Sequence, residues 1–446
     1  MFYRSVLKEM EKWRADKAHR PLILRGARQV GKATVVNEFG KTFTNYLAFN
    51  LERDADKALL EMNVPLDDLV GYLFARKGLK RQEGDTLIFI DEIQNSPKTI
   101  SLLRYFYEDR PDLFVIAAGS LLENVVDVKA SFPVGRVDFL PVRPCSFKEF
   151  VAAIGKENQL AVMDSPEVTV AFHEEYMSLF NQYFLVGGMP EAVQHYADHR
   201  DVLAMNHIYS RLLRAYIDDV EKYAQTSKMT EIVRFIIQNG WMQAGATITL
   251  GNFCGSAYKS REVGEAFRLL QKAMLLELAY PTTSAILPAM PEQQRMPKLF
   301  WFDTGMVNYV GKVRKEVIGT NAILDLWKGR IAEQVVAQEL LTLNTDINQT
   351  RTFWTRGKGI QGAEVDLLWV VDSELIPIEV KAGHNFHLRS LHSFMDSSPV
   401  GVAIRVWSGP FSVDDVVTTS KRKPFRLISL PFYLVGNLEQ IIRKYL

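Results

Sequence analysis

Cysteine is almost missing from this chain: Cys145 and Cys254 are the only two among 446 residues. Their scarcity excludes a disulfide framework and a cysteine-rich zinc site, and a reducing cytoplasm is the compartment that fits. A surplus of either charge is missing as well, since 53 basic side chains face 52 acidic ones. No whole-protein field steers such a chain to nucleic acid, so any contact of that kind has to come from local patches. Long apolar runs are lacking too. Nothing approaches the length of a membrane span, and the charged opening MFYRSVLKEMEKWRADK does not read as a signal peptide. It reads instead as an amphipathic packing helix carrying Phe2, Val6, Leu7, Met10 and Trp13. With 47% hydrophobic and 24% charged residues and no repeat period, the chain reads as globular, and its length predicts about two to four units.

What is present starts with PLILRGARQVGKATVVNEF at residues 21–39, a short apolar run that breaks into a glycine-bounded loop and then a helix. Gly26 and Gly31 bracket Ala27, Arg28, Gln29 and Val30, and Lys32 follows at once, which is the spacing of a P-loop. A loop that wraps phosphates must turn its backbone N–H groups inward. Glycine permits the dihedrals, the helix offers its positive end, and Lys32 reaches the β- and γ-phosphates of ATP. One position departs from the pattern. Where a Ser or Thr hydroxyl holds Mg²⁺, this chain has Ala33, and Thr34 lies about 100° further round the helix.

The apolar run TLIFI at residues 86–90 delivers Asp91 and Glu92 at its end. A buried strand followed by two carboxylates suits a Walker B site, with Asp91 holding Mg²⁺ and Glu92 orienting the attacking water. An acidic turn after a strand is common by itself, and the P-loop upstream gives this one its meaning. NYLAFNL at residues 45–51 and LFVIAA at residues 113–118 read as further strands, so strands alternate with helices in an α/β fold with a mostly parallel sheet. Ser120, after the last of these strands, reads either as a γ-phosphate sensor or as a helix cap. Arg136, in FPVGRVDF, reads either as an arginine finger or as a surface arginine.

With GARQVGK and LIFIDEIQ in place, the chain resembles the AAA+ ATPases of bacteria and archaea, and SFPVGRVDFLPVRPCSFKEF is similar to that family's link between ATPase sheet and lid. The resemblance covers essentially the whole chain. It implies an ATPase core over residues 1–144, a helical lid over 145–224, a winged helix over 225–311 and a PD-(D/E)XK nuclease-like domain over 312–446. The pattern predicts a turn at Val186 to Glu191. Arg211 and Arg214 share one helix face, read mainly as a salt-bridged surface. Ser260 is positioned to cap a helix running from SREVGEAF through LLEL, on which Arg261 and Arg268 would face DNA if the winged helix reads it.

The C-terminal stretch carries a second ordered set: Glu333 on a helix, Asp366 opening an apolar strand, and Glu379 and Lys381 two apart on the next. Residues two apart on a strand face the same way, so carboxylates from neighbouring strands can meet at a divalent ion. The set matches the PD-(D/E)XK pattern, with Asp366 and Glu379 as ligands of Mg²⁺ or Mn²⁺ and Lys381 stabilising developing charge. A basic glycine-rich segment, TRGKGIQG, precedes Asp366. His384 and His387 read as a solvated loop. The chain is thus expected to be an ATP hydrolase, impaired at Ala33, that controls a nuclease-like domain acting on nucleic acid. The alternative is a non-cutting ATP-dependent switch that holds a protein or DNA partner. Neither calls for a membrane, and both allow a homo-oligomer.

Overall fold

The computed structural model describes residues 2–119, 133, 135–220, 224, 226–312, 329–347, 350–357, 362–382 and 387–446. Ser120 and His384, and residues 358–361 of the TRGKGIQG segment, lie outside them.

Short apolar runs build the first sheet: β1 (Leu22–Arg25), β2 (Asn45–Asn50), β3 (Thr86–Asp91), β4 (Leu113–Gly119) and β5 (Asp138–Pro141). Its order is β2-β3-β4-β1-β5, with every neighbouring pair parallel. The interior of β3 is buried throughout, as a strand covered on both faces requires. Asp91 is its last residue. β5 corrects the reading of its stretch as a link alone; four residues, half of them only partly buried, carry too little periodicity to be seen. The helix Val6–Ala15 buries Val6, Met10 and Trp13, as its pattern predicts.

A helical layer follows, including Phe147–Ala153, His173–Val186, Pro190–His199 and Asn206–Asp218. The first begins with a capping box, Ser146 and Glu149 satisfying each other's backbone N–H groups. The chain turns after Val186 at Gly187, whose φ is 79°. A Cβ there would stand 2.6 Å from the Gly305 backbone, so only glycine fits.

The next stretch holds the helices Ser227–Asn239 and Ser260–Lys272, then β6 (Leu276–Thr282) and β7 (Lys298–Trp301). Two details differ from expectation. Lys259, not Ser260, is the cap residue, and Glu262 accepts from its backbone N–H at 3.2 Å. The helix also stops at Lys272, because Met274 turns left-handed with φ 58° and Leu276 to Leu278 become part of β6.

β6 pairs antiparallel with β7 and parallel with β8 (Thr352–Thr355). The pair is therefore the edge of an eight-stranded sheet that also takes in β9 (Glu364–Val371), β10 (Glu374–Lys381), β11 (Val402–Trp407), β12 (Ser412–Val417) and β13 (Pro424–Pro431). Its order is β12-β13-β11-β10-β9-β8-β6-β7.

The buried helix Arg330–Leu343 packs against this sheet and the helical layer. Its polar side chains each reach a different segment. Gln334 exchanges two hydrogen bonds with the Trp301 backbone, at 2.9 and 2.6 Å. Gln338 accepts from Thr304 N at 2.6 Å and donates to the Tyr183 hydroxyl at 2.9 Å. Glu339 accepts from Phe147 N at 3.0 Å and from the Tyr183 hydroxyl at 2.6 Å. Replacing Glu339 by Leu strands Phe147 N in a buried site, while the Tyr183 hydroxyl keeps the Cys145 carbonyl at 2.9 Å. Urea unfolding of Glu339→Leu is expected to show a loss of about 1–3 kcal/mol, and an unchanged midpoint would refute the assignment.

Candidate functional site

The loop between β1 and the helix Lys32–Gly40 is shaped by backbone demands. Gln29 and Gly31 have φ of 65° and 92°, and a Cβ on Gly26 would lie 2.3 Å from the Val142 carbonyl oxygen. Lys32 folds its ammonium back on the loop, donating to Gly26 O at 2.8 Å and Ala27 O at 3.0 Å. Burial pushes its pKa down to about 8, against the pull of Glu92 and Asp91. Burial, then the neighbouring Glu92, raises Asp91 to about 6. Glu92 sits left-handed with φ 53°, its carboxylate held by the Gln94 side-chain amide.

These groups open onto a cavity of about 550 Å³ whose lining includes Lys32, Ala33, Thr34, Asp91 and Glu92. Its remaining wall was not foreseen from the sequence: Phe2 and Arg4 come from the N-terminal segment, and Pro190, Glu191 and Gln194 from the helix Pro190–His199. Phe2 was legible only as a packing residue, and nothing local marks Pro190 as adjoining a loop so far away in sequence. Buried Arg4 pins the loop from behind, donating to Val30 O at 3.1 Å while paired with Glu149 at 3.1 Å. From the other side Arg28 pairs with Asp219, and the Tyr216 hydroxyl donates to Arg28 O at 2.9 Å. Arg211 pairs with Glu191 at the cavity wall. Arg136 donates to Glu108 at 2.5 Å and does not line the cavity. For Mg²⁺ the donor set is incomplete: Asp91 offers a carboxylate and Ala33 a methyl group, so of these two positions only Asp91 would ligate a cation.

The second cluster sits where β9 and β10 form an antiparallel hairpin, turning at Asp372 and Ser373 with φ of 47° and 67°. Glu333, Asp366, Glu379 and Lys381 are brought together there, as their spacing predicts. Asp366 accepts from Val380 N at 2.8 Å, and Lys381 pairs with Glu379 at 2.7 Å. The other Glu379 oxygen, Oε2, is buried without a hydrogen-bond partner. Burial and the Asp366 charge raise both Glu333 and Glu379 to about 8.

Two further residues complete the cluster, and the sequence reading missed both. Lys298, on β7, places its ammonium 2.7 Å from Glu333, 2.8 Å from Glu364 and 3.4 Å from Asp366. Burial disfavours its charge, but the three carboxylates outweigh burial and hold it protonated. A lysine in the wholly buried strand KLFW was the available signal. The expectation that Asp366 is a metal ligand thus meets an internal cation. Among the described residues no group of three or more His, Cys, Asp or Glu is arranged to hold a metal ion, and the carboxylates facing Lys298 do not fit a divalent ion in this arrangement. No helix among the described residues is long and apolar enough to cross a membrane.

A parallel sheet with a P-loop after β1 and paired carboxylates at the end of β3 defines an AAA-type P-loop ATPase domain. Residues 18–151 match the family model of an AAA domain. Residues 177–317 match a domain of unknown function (DUF8612), and residues 328–421 another (DUF4143). No curated protein is matched. Among solved structures, the chain is similar to the Walker-type ATPase PABY2304 of Pyrococcus abyssi, at 14% identity and a TM-score of 0.42, over 70% of this chain and 96% of that one. It is also similar to a chain of the Drosophila ORC bound to DNA, at 14% identity and TM-score 0.28, over 70% and 94%. The STAND protein PH0952 from Pyrococcus horikoshii, with a tetratricopeptide repeat sensor, aligns at 12% identity and TM-score 0.29, over 77% of this chain and 48% of that one.

The depressed Lys32 pKa generates a pH prediction. In the empty site the amine loses its proton above about 8, whereas a phosphate beside it favours the ammonium. ATP binding at about pH 9 is therefore expected to take up a proton, and affinity to fall as pH rises through this range. Calorimetry in buffers of different ionisation enthalpy measures the uptake, and Lys32→Ala should abolish it.

Proposed function

We propose that this chain is an ATP-dependent switch that hydrolyses ATP slowly and whose C-terminal region, folded like a restriction endonuclease, holds a protein or DNA partner without cutting it. The observation that carries the reading is the cavity in which Lys32, Asp91 and Glu92 converge beneath a wall formed by the helix Pro190–His199. A nucleotide there touches both the sheet and the helical layer, so its phosphates bias their relative position. Gly26 to Lys32 cradle the phosphates, with Thr34 beside them. Asp91 holds Mg²⁺, and Glu92 orients the water. Ser120 senses the γ-phosphate, and Arg136 serves a neighbouring copy in a homo-oligomer. The missing hydroxyl at Ala33 makes hydrolysis slow and leaves the bound state long-lived. The helices Ser227–Asn239 and Ser260–Lys272 act as the helical part of a winged helix, while β6 and β7 join residues 329–446 in the nuclease-like domain, so the expected division at 311/312 is replaced by a shared sheet. The chain works in the cytoplasm.

A second reading, a Mg²⁺- or Mn²⁺-dependent nuclease using Glu333, Asp366, Glu379 and Lys381, is favoured by one observation. Glu379 Oε2 is buried without a partner beside Lys381. Lys298 favours the first reading, because its ammonium already occupies the space between Glu333, Glu364 and Asp366 where a divalent ion would sit.

Lys32→Ala is expected to weaken ATP binding by about 1.5–3 kcal/mol, the value of hydrogen bonds to charged groups. Glu92→Gln should keep binding and slow turnover, and Ala33→Thr should raise it. If Ala33→Thr leaves the steady-state rate unchanged, the metal is held in another way and the slow-switch reading fails. Mn²⁺ separates the two readings at the second site. The switch predicts no rise in melting temperature with millimolar Mn²⁺ in the unmodified protein and a gain in Lys298→Met; the nuclease predicts a rise in the unmodified protein that Asp366→Asn removes.

A further inference from the structure

The phosphate loop is restrained by an arginine on each side, and the two restraints differ in kind. Arg4 commits all three of its side-chain nitrogens, Nε to Glu149 at 3.1 Å, Nη1 to Val30 O at 3.1 Å and Nη2 to Arg143 O at 2.6 Å, and its side chain is 5% exposed. Arg28 commits only Nη1, to Asp219. Its side chain is 36% exposed and lines the nucleotide cavity, while that of Asp219 is 11% exposed. A ligand entering the cavity can therefore engage Arg28 without first unpacking it, and Arg4 stays in place.

Asp219 shares the last turn of the helix Asn206–Asp218 with Tyr216, whose hydroxyl donates to Arg28 O at 2.9 Å. With the Lys32 ammonium on Gly26 O and Ala27 O, three successive loop carbonyls are tied. One lysine and one turn of helix thus hold the loop closed on itself. The charge of Arg28 is felt where the chemistry takes place. It adds to the burial that lowers Lys32, and it is itself favoured by Asp219 and then by Glu92. Lys32 is the residue that reaches the β- and γ-phosphates and Glu92 the one that orients the water, so the guanidinium stands on the side where a terminal phosphate arrives. The same helix turn also leans on the C-terminal sheet. The Tyr216 ring meets Phe302 edge-on, with centroids 5.7 Å apart, and Phe302 directly follows β7.

We propose that the Arg28 side chain is a ligand of the terminal phosphate of ATP, held in reserve by Asp219, and that its transfer from carboxylate to phosphate frees the end of the helix Asn206–Asp218 from the loop. Resting on the nucleotide site proposed above, this exchange adds the contact by which ATP and ADP are told apart. Phosphate prevails because it carries more charge than a carboxylate and presents three oxygens to a fork that now uses one arm. The ion pair given up is a weak one, since one partner is a third exposed to solvent. ADP lacks the terminal group and leaves the pair closed. Asp219 is a positioning residue, which acts on the nucleotide only through Arg28.

The test uses the full chain. Calorimetry compares a non-hydrolysable ATP analogue with ADP, and hydrogen–deuterium exchange follows the amides of residues 212–219. The analogue is expected to speed exchange there, and ADP is not. Asp219→Asn should tighten the analogue about three- to fivefold, leave ADP within about twofold, and exchange quickly before any nucleotide is added. A merely structural Asp219 would change both nucleotides alike. Arg28→Gln should lose both the preference for the analogue over ADP and the nucleotide-dependent exchange, and it decides the matter if Asp219→Asn fails to fold. Lys32→Ala keeps the two readings distinct. If it binds ATP as well as its parent, the nucleotide site is misassigned and the exchange at Arg28 falls with it. If it weakens binding while the substitutions at Asp219 and Arg28 leave the ATP-over-ADP preference unchanged, the role of Arg28 alone is overturned.

Discussion

The buried polar edge of the helix Arg330–Leu343 is the constraint on which the arrangement of this protein depends. Gln334, Gln338 and Glu339 are each no more than 1% exposed, so each must find its partners inside the protein. Those partners come from β7, from the turn after it and from the helical layer beside the ATPase sheet. An apolar helix could slide or rotate by a fraction of a turn with little loss. This one cannot, because any shift strands several donors and acceptors at once. The carboxylate cluster is therefore held in one position relative to the layer that walls the nucleotide cavity.

The two clusters handle buried charge in opposite ways. At the nucleotide cavity, the ammonium of Lys32 is turned onto loop carbonyls while Asp91 and Glu92 lie across the cavity, so charges of both signs stand ready to be rearranged by a ligand. At the C-terminal cluster the rearrangement is already complete, with one lysine shared among three carboxylates. A ready-made counter-ion gives up the affinity that an empty acidic pocket would have for cations and gains a fixed geometry in exchange. Where Glu379 keeps a bare oxygen, the compensation is incomplete, and the raised pKa values of Glu379 and Glu333 record the remaining excess of negative charge.

Much of both clusters was legible because their members are joined by local rules. The interval from Gly26 to Lys32, a buried strand ending in Asp91 and Glu92, and the strand alternation that puts Glu379 and Lys381 on one face are all properties of short segments. What stayed hidden was contributed from far along the chain. Lys298 reaches Glu333 and Asp366 because β7 joins a sheet whose other strands come later, and no interval in the sequence encodes that approach. Phe2 and Gln194 share a cavity wall only because the N-terminal segment and the helix Pro190–His199 both come up to the phosphate loop, where Arg4 and Pro190 adjoin Gly31. The end of the helix at Lys272 was missed for a different reason. LLQKAMLLEL is apolar enough for either structure, and a left-handed Met274, which no propensity favours, decides where the helix ends.

The eight-stranded sheet also bears on how such a protein can be inherited. The two segments of unknown function meet between residues 317 and 328, yet β6 and β7 of the first are stitched to β8 of the second. Exchanging the later segment for an unrelated one would leave β6 with an unpaired edge and Lys298 with a buried charge and no acids around it. Shuffling of genes at that seam is therefore penalised twice, once in the backbone and once in the electrostatics. A chain that keeps one segment and exchanges the other is expected to fold poorly, whatever ATPase precedes it.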